Sequence, residues 1–209
     1  MKRFHLFGLL GVLPILAGCV AFQLKGDIQA GRQALLLNRP EVALTHFQRA
    51  VQTDPNYIMG FGVYQEGAWT YVGRANYATG NLAEARPALE RALARDNGDN
   101  LARLYLGLVL AREGDRQAGA KQIEGGIRGL HDWFEYITYN TIYGMYWDPR
   151  REIRSEIQSD LAMISGKEID WQKLIASGEW IGLRMEEEID RARRDEQLLR
   201  HNQGENPPR

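Results

Sequence analysis

Between residues 24 and 133 the apolar and small positions return in a fixed frame. Gly31, Gly73 and Gly107 align; twelve residues after each come Ala43, Ala85 and Gly119. Sixteen residues after each come Phe47, Leu89 and Ile123, and nineteen after come Ala50, Ala92 and Gly126. The frame divides into units 24–57, 66–99 and 100–133, with eight additional residues, 58–65, between the first two. Each unit holds two apolar-periodic segments around turn chemistry: Asn38-Arg39-Pro40, Thr79-Gly80-Asn81 and Glu113-Gly114-Asp115. A repeat of this length predicts a solenoid of helical hairpins. The glycine of the first helix and the two small places of the second give the clearance that close antiparallel helices need. The large residue between the small places fills space between hairpins. One hairpin cannot bury its apolar face alone, so neighbours stack.

These residues resemble the tetratricopeptide repeat. The second unit carries Trp69, Val72-Gly73 and Ala85, and the first carries Gly31, Ala43, Phe47, Ala50 and a closing Asp54-Pro55. The third has Leu106-Gly107 and Leu110, with Gly119 and Gly126 in place of alanines. Helical glycine costs about 1 kcal/mol against alanine, which predicts that this unit is the softest. In the family the first helix of each hairpin lines a concave face. That register implies Lys25, Ile28 and Arg32 there, then Thr70, Arg74 and Tyr77, then Leu101, Leu104, Leu108 and Arg112. The implied groove, with Lys25, Arg32, Arg74, Tyr77 and Arg112, suits an acidic extended peptide or a free carboxyl terminus, because arginine pairs carboxylates through a planar fork. Arg32, Arg74 and Leu108 stand where chaperone-binding members have asparagine.

The remaining segments read less regularly. Residues 58–65 are apolar and glycine-punctuated, which fits a longer second-unit helix, a loop folded back on the solenoid, or a lip over the groove. Residues 134–201 predict a helical cap. Its start belongs to an aromatic run, 131–147, in which Tyr136, Tyr139, Tyr143 and Tyr146 share one helical face by spacing, as core or as a binding surface. Asp148-Pro149 signals a helix start and Gly166 its end. A short helix follows Asp170 and closes at Ser177-Gly178. A longer one spans about 179–201, with its charged part, 186–200, on a solvated face. Residues 202–209 are polar with Gly204, Pro207 and Pro208, and predict disorder.

The N-terminus supplies an address. Lys2 and Arg3 precede an apolar run from Phe4 to Ala17 that contains Pro14 and falls short of the ~20 residues of a spanning helix. This pattern predicts a signal peptide over 1–18. Leu16-Ala17-Gly18-Cys19 resembles the lipobox of bacterial lipoproteins, which implies lipid attachment at Cys19, the single cysteine, and a short lipid-anchored start over 19–23. Val20, where aspartate would mark inner-membrane retention, implies the outer membrane, inner leaflet, facing the periplasm.

Charge and chemistry then narrow the classes. Loss of residues 1–18 removes two positive charges and no acidic residue, taking the formal charge from -1 to -3, which excludes a phosphate-neutralising nucleic-acid binder. The four histidines are scattered without metal-site spacing, and no nucleophile motif is present. Adjacent carboxylates at 186–188 diverge on a helix. The expectation is therefore no metal, no cofactor and no enzyme. It is an all-α, TPR-like helical-hairpin solenoid with a helical C-terminal cap, acting as a lipid-anchored interaction scaffold or assembly factor for envelope proteins or peptides. The alternative is a small-ligand carrier, its pocket closed by 58–65 and the aromatic helix 133–147.

Overall fold

The structure, a computed structural model, describes residues 13–202. Most of the predicted signal segment (residues 1–12) and the predicted tail from residue 203 lie outside the described residues. Three helical hairpins follow one another: α1 (Leu13–Leu36) with α2 (Pro40–Thr53), α3 (Ala68–Ala78) with α4 (Leu82–Arg95), and α5 (Asn100–Glu113) with α6 (Arg116–Asn140). Their turns reverse alike, each through one left-handed residue: Asn38 (φ 53°), Gly80 (φ 78°) and Gly114 (φ 97°). Such a conformation suits glycine and asparagine because a Cβ is crowded there.

The repeat frame maps onto packing. Phe47, Leu89 and Ile123 are fully buried. Each lies over the glycine of its own hairpin: a Cβ on Gly31 would sit 2.4 Å from the Phe47 ring, and one on Gly73 2.4 Å from Leu89 Cγ. Phe47 also stacks on Tyr71 of the next hairpin, with ring centroids 4.9 Å apart. In the third hairpin the extra glycines bring backbones together. A Cβ on Gly119 would meet Ala111 N at 2.9 Å, and one on Gly126 would meet Leu104 N at 2.6 Å. Close α5–α6 packing thus offsets the propensity that these glycines forfeit.

Residues 58–65 form neither a helix nor an irregular loop. β1 (Ile58–Phe61) and β2 (Tyr64–Gly67) pair antiparallel, with Phe61 opposite Tyr64 and Met59 opposite Glu66. Gly62 opens the two-residue turn at φ 56°, a position that tight hairpins reserve for residues without a Cβ. Four-residue strands carry little periodicity, so the hairpin has no clear signal in the sequence.

The aromatic run also departs from expectation. α6 ends at Asn140, so Tyr136 and Tyr139 lie on the helix whereas Tyr143 and Tyr146 lie beyond it, the latter in a 3-10 turn (Gly144–Tyr146). The four tyrosines share no helical face. The chain folds back over the helix end at Gly144, where a Cβ would be 1.7 Å from Ile137 O. Trp133 and Trp147 then meet edge to face at 5.1 Å, and Tyr64 of β2 lies 5.7 Å from each ring. The rings pack between the insertion and the aromatic segment.

α7 (Glu152–Ile164) begins three residues after Pro149. Asp148 still caps it, accepting the N–H groups of Ile153 and Arg154 at 3.1 Å each. α8 (Trp171–Asn202) is one continuous helix of 32 residues. Asp170 caps its start, accepting Lys173 N–H at 3.0 Å. Gly178, read from sequence as a stop, is a contact: its Cβ would lie 2.9 Å from Leu108 Cδ2, and one on Gly182 would lie 2.1 Å from Tyr105 Oη. These two glycines seat α8 against α5.

Glycine substitutions separate packing from propensity. Gly126→Ala is expected to destabilise by about 1–3 kcal/mol through overpacking. Gly26→Ala, where nothing lies within 4 Å of the new methyl, is expected to stabilise by about 0.5–1 kcal/mol. Urea denaturation of both variants checks this, and equal effects at the two positions would refute it.

Candidate functional site

The first helices of the hairpins present their inward positions to α8, which fills the groove along α1, α3 and α5. Two arginines anticipated on an open surface are consequently interior: Arg32 is 2% exposed and Arg74 3%. A buried guanidinium needs an acidic partner, since desolvating it alone costs several kcal/mol. Glu186 of α8, fully buried, serves both. Its Oε2 accepts from Arg32 Nε at 2.6 Å and its Oε1 from Arg74 Nη1 at 2.5 Å. Arg74 Nη1 also donates to Glu66 Oε1 of β2 at 2.7 Å, and Tyr64 Oη donates to Glu66 Oε2 at 2.5 Å.

Backbone carbonyls complete the seat. Arg74 Nη2 donates to Gly182 O at 3.0 Å, and Arg32 Nη2 to Glu186 O and Asp190 Oδ1, both at 3.2 Å. The Arg74 guanidinium lies over Tyr71 and Tyr105, at 5.5 and 5.2 Å from the ring centroids. At the hairpin-turn end, Tyr77 Oη and Arg112 Nη2 both donate to Glu179 Oε1, at 2.6 and 2.5 Å. A second network ties the post-repeat loop to α8: Glu188 Oε2 accepts Asp148 N–H at 2.8 Å, and Arg191 Nη2 donates to Tyr146 O at 2.7 Å.

The structure thus joins Arg32, Arg74, Tyr77 and Arg112 in one array, but with the protein's own carboxylates as ligands. This corrects the open basic groove. Lys25 stays exposed on α1, apart from the array. Tyr136 and Tyr139 are 63% and 76% exposed, near exposed Ile142 and Met145 in sequence, while Tyr143 and Tyr146 are half-buried. Cys19 lies on the backbone of α1, its side chain outside the described set. The charged stretch from 186 onward is not simply a solvated face either, since Glu186 and Glu188 are buried. A signal existed: Glu179, Gly182, Glu186 and Ile189 recur at three- and four-residue steps beside Ile181, Met185 and Ala192.

Burial sets the ionisation of the array. Glu66 is pushed up to about 7, because desolvation and the nearby Glu186 charge outweigh the pull of Arg74. Burial similarly raises the Tyr64 and Tyr71 phenols. Outside the array, Asp160 of α7, which accepts from Ser177 Oγ at 2.6 Å, is pushed up to about 6 by burial.

The architecture defines a helical-hairpin repeat protein whose concave face is closed by its own C-terminal helix. Comparison gives the family: a tetratricopeptide repeat model matches residues 66–109. The chain is also 36% identical over 90 residues to the TPR repeat-containing protein PA0015 of Pseudomonas aeruginosa, covering 42% of this chain and 71% of that protein. The chain belongs to the tetratricopeptide repeat family. No solved structure matches it.

Two outcomes follow from the array. Glu186→Ala leaves two guanidinium groups buried without their shared carboxylate and is expected to destabilise by about 3–5 kcal/mol; unchanged denaturation midpoints would show that α8 is not held this way. For Glu66 the folded value of about 7 exceeds the ordinary 4.5, so the folded state binds the proton more tightly. Its contribution is full below pH 4.5 and is lost as pH rises through 7, with Asp160 acting in the same direction up to about 6. Stability is expected to fall by on the order of 2 kcal/mol between pH 5 and pH 8. Glu66→Gln should flatten that slope, and an identical slope in the variant would assign it elsewhere.

Proposed function

We propose that this protein is a membrane-anchored interaction scaffold of the bacterial envelope, held by a lipid on Cys19 and serving as an assembly factor for envelope proteins. The observation that carries the interaction half is the repeat solenoid itself. Stacked hairpins build extended surface rather than a reaction centre, and tetratricopeptide repeats act as protein-binding modules. Supporting the anchor half is the run Leu16-Ala17-Gly18-Cys19, preceded by basic and apolar segments. Only residues 20–23 separate that cysteine from the first repeat position, which keeps the solenoid near the bilayer and favours partners at the membrane surface. Among the described residues no helix is long and apolar enough to cross a membrane. The scaffold offers its partners the surfaces left outside the α8-filled groove.

Metabolic labelling with an alkyne-tagged palmitate tests the anchor. The parent protein is expected to take up label and sediment with membranes, and Cys19→Ser to lose both properties; an unlabelled parent protein sinks the anchor. A photo-crosslinking residue placed at exposed Tyr139 or at Val63 in the β1–β2 turn tests the scaffold. Discrete envelope adducts are expected at one position or both, and their absence at both refutes the interaction reading.

A further inference from the structure

α8 does not cover the whole inner surface. Where the middle of α1, the β-hairpin and the second half of α8 converge, a cleft of about 670 Å³ remains. Its apolar lining includes Phe22, Ile28, Phe61 and Ile189. Phe22 is 82% exposed, a large ring without a packing partner commensurate with its area. Lys25 and Arg193 bring positive charge from opposite walls, and neither forms an ion pair among the described residues; Glu196 is the acidic member.

One wall of this cleft is backbone. Ala68 N–H donates to Tyr57 O at 2.9 Å, and the register pairs Met59 with Glu66 and Phe61 with Tyr64. Bonded pairs therefore fall at Tyr57, Met59 and Phe61, so the N–H and C=O groups of Ile58 and Gly60 point away from β2. β1 has no second strand neighbour, and these outward groups have no partner among the described residues. Gly60 has no side chain, so it lines the cleft with main chain. The other edge differs: the main chain of Gly67 of β2 is bonded to the carboxylate of Asp99, the residue that caps α5.

We infer that the outer edge of β1 is a strand-addition site, and that its occupant is an extended peptide of a partner protein with apolar residues alternating with acidic ones. Main-chain bonds to Ile58 and Gly60 give affinity, as in other strand-addition complexes. Apolar side chains on one face enter between Phe22, Phe61 and Ile189, and carboxylates reach Lys25 and Arg193. A bilayer fits less well, because hydrocarbon cannot satisfy the exposed edge. This inference rests on the interaction reading but not on the lipid anchor.

The test uses the full-length protein in detergent micelles and an array of blocked hexapeptides with valine at alternate positions and glutamate, glutamine or lysine between. Glutamate members are expected to bind at least tenfold more tightly than lysine members, and Lys25→Glu/Arg193→Glu to reverse that order. N-methylation of alternate peptide amides should abolish binding. Gly60→Pro should do the same, since it deletes an outward N–H without touching the β1–β2 ladder; unchanged circular dichroism confirms that the variant is folded. Absence of binding by every array member overturns the inference. So does binding that is indifferent to N-methylation and to Gly60→Pro. Cys19→Ser protein that partitions onto phosphatidylglycerol vesicles, and loses this with Arg193→Glu, would assign the cleft to the membrane and overturn it too. Envelope adducts at Tyr139 with none at Val63 discard this surface while leaving the scaffold intact, whereas adducts at neither remove both.

Discussion

The carboxylate of Glu186, shared between two interior guanidinium groups, is the contact on which the other parts of this fold depend. Arg32 comes from the first hairpin and Arg74 from the second, while Glu186 arrives more than a hundred residues later. Burying the three together keeps each charge compensated, because a buried charge left without a partner costs several kcal/mol. A solenoid held only by neighbouring hairpins is nearly one-dimensional, and its units loosen separately. Here α8 crosses all three hairpins and fixes their relative placement, so opening any one hairpin exposes ions that belong to another. The array also sets the position of α8 along the groove: a slide by one turn would put Gly182 or Asp190 where Glu186 must be.

The same arrangement changes what the concave face can do. In an open groove, arginines select acidic ligands; in this protein the ligand is covalently attached and buried. An incoming peptide would have to replace three carboxylate contacts (Glu179, Glu186, Asp190) together with the apolar contacts of Ile181, Met185 and Ile189. An intramolecular helix has the advantage of high effective concentration. Recognition is therefore displaced to surfaces that α8 leaves uncovered.

How much of this could be read from residues alone depended on whether the signal was local. The repeat frame was legible because it is periodic: one glycine and two small residues per unit mark the same close approach three times. The turns were legible for the same reason, each needing a left-handed residue at one place. The β-hairpin was not, since four residues per strand and a Gly62-Val63 turn look like any apolar loop. The continuity of α8 was missed because glycine has two meanings, helix stop and close contact, and only the presence of Leu108 and Tyr105 opposite Gly178 and Gly182 decides between them. The array was half legible. The register puts Arg32, Arg74, Tyr77 and Arg112 on one surface, but their partners on α8 lie at separations of 67 to 158 residues, beyond any sequence window. A run of three glutamates looks solvated until one knows that two of them have buried destinations.

The hairpin inserted between the first two units has two sides with different physical roles. Its inward face, Tyr64 and Glu66, joins the aromatic cluster and the ion array, which anchors β2 firmly. That anchoring is what leaves β1 on the outside with an unmatched edge. Natural proteins usually blunt such edges, because an exposed ladder invites indiscriminate pairing. This edge is kept safe by being short: four residues, bounded by Gly62 and interrupted by Gly60, give too few bonds for stable association through backbone alone. Pairing becomes favourable only when side chains contribute as well, and the cleft beside it supplies apolar walls and two cations. A weak backbone template next to a selective side-chain surface is a sound physical basis for specificity, since neither part holds a partner without the other.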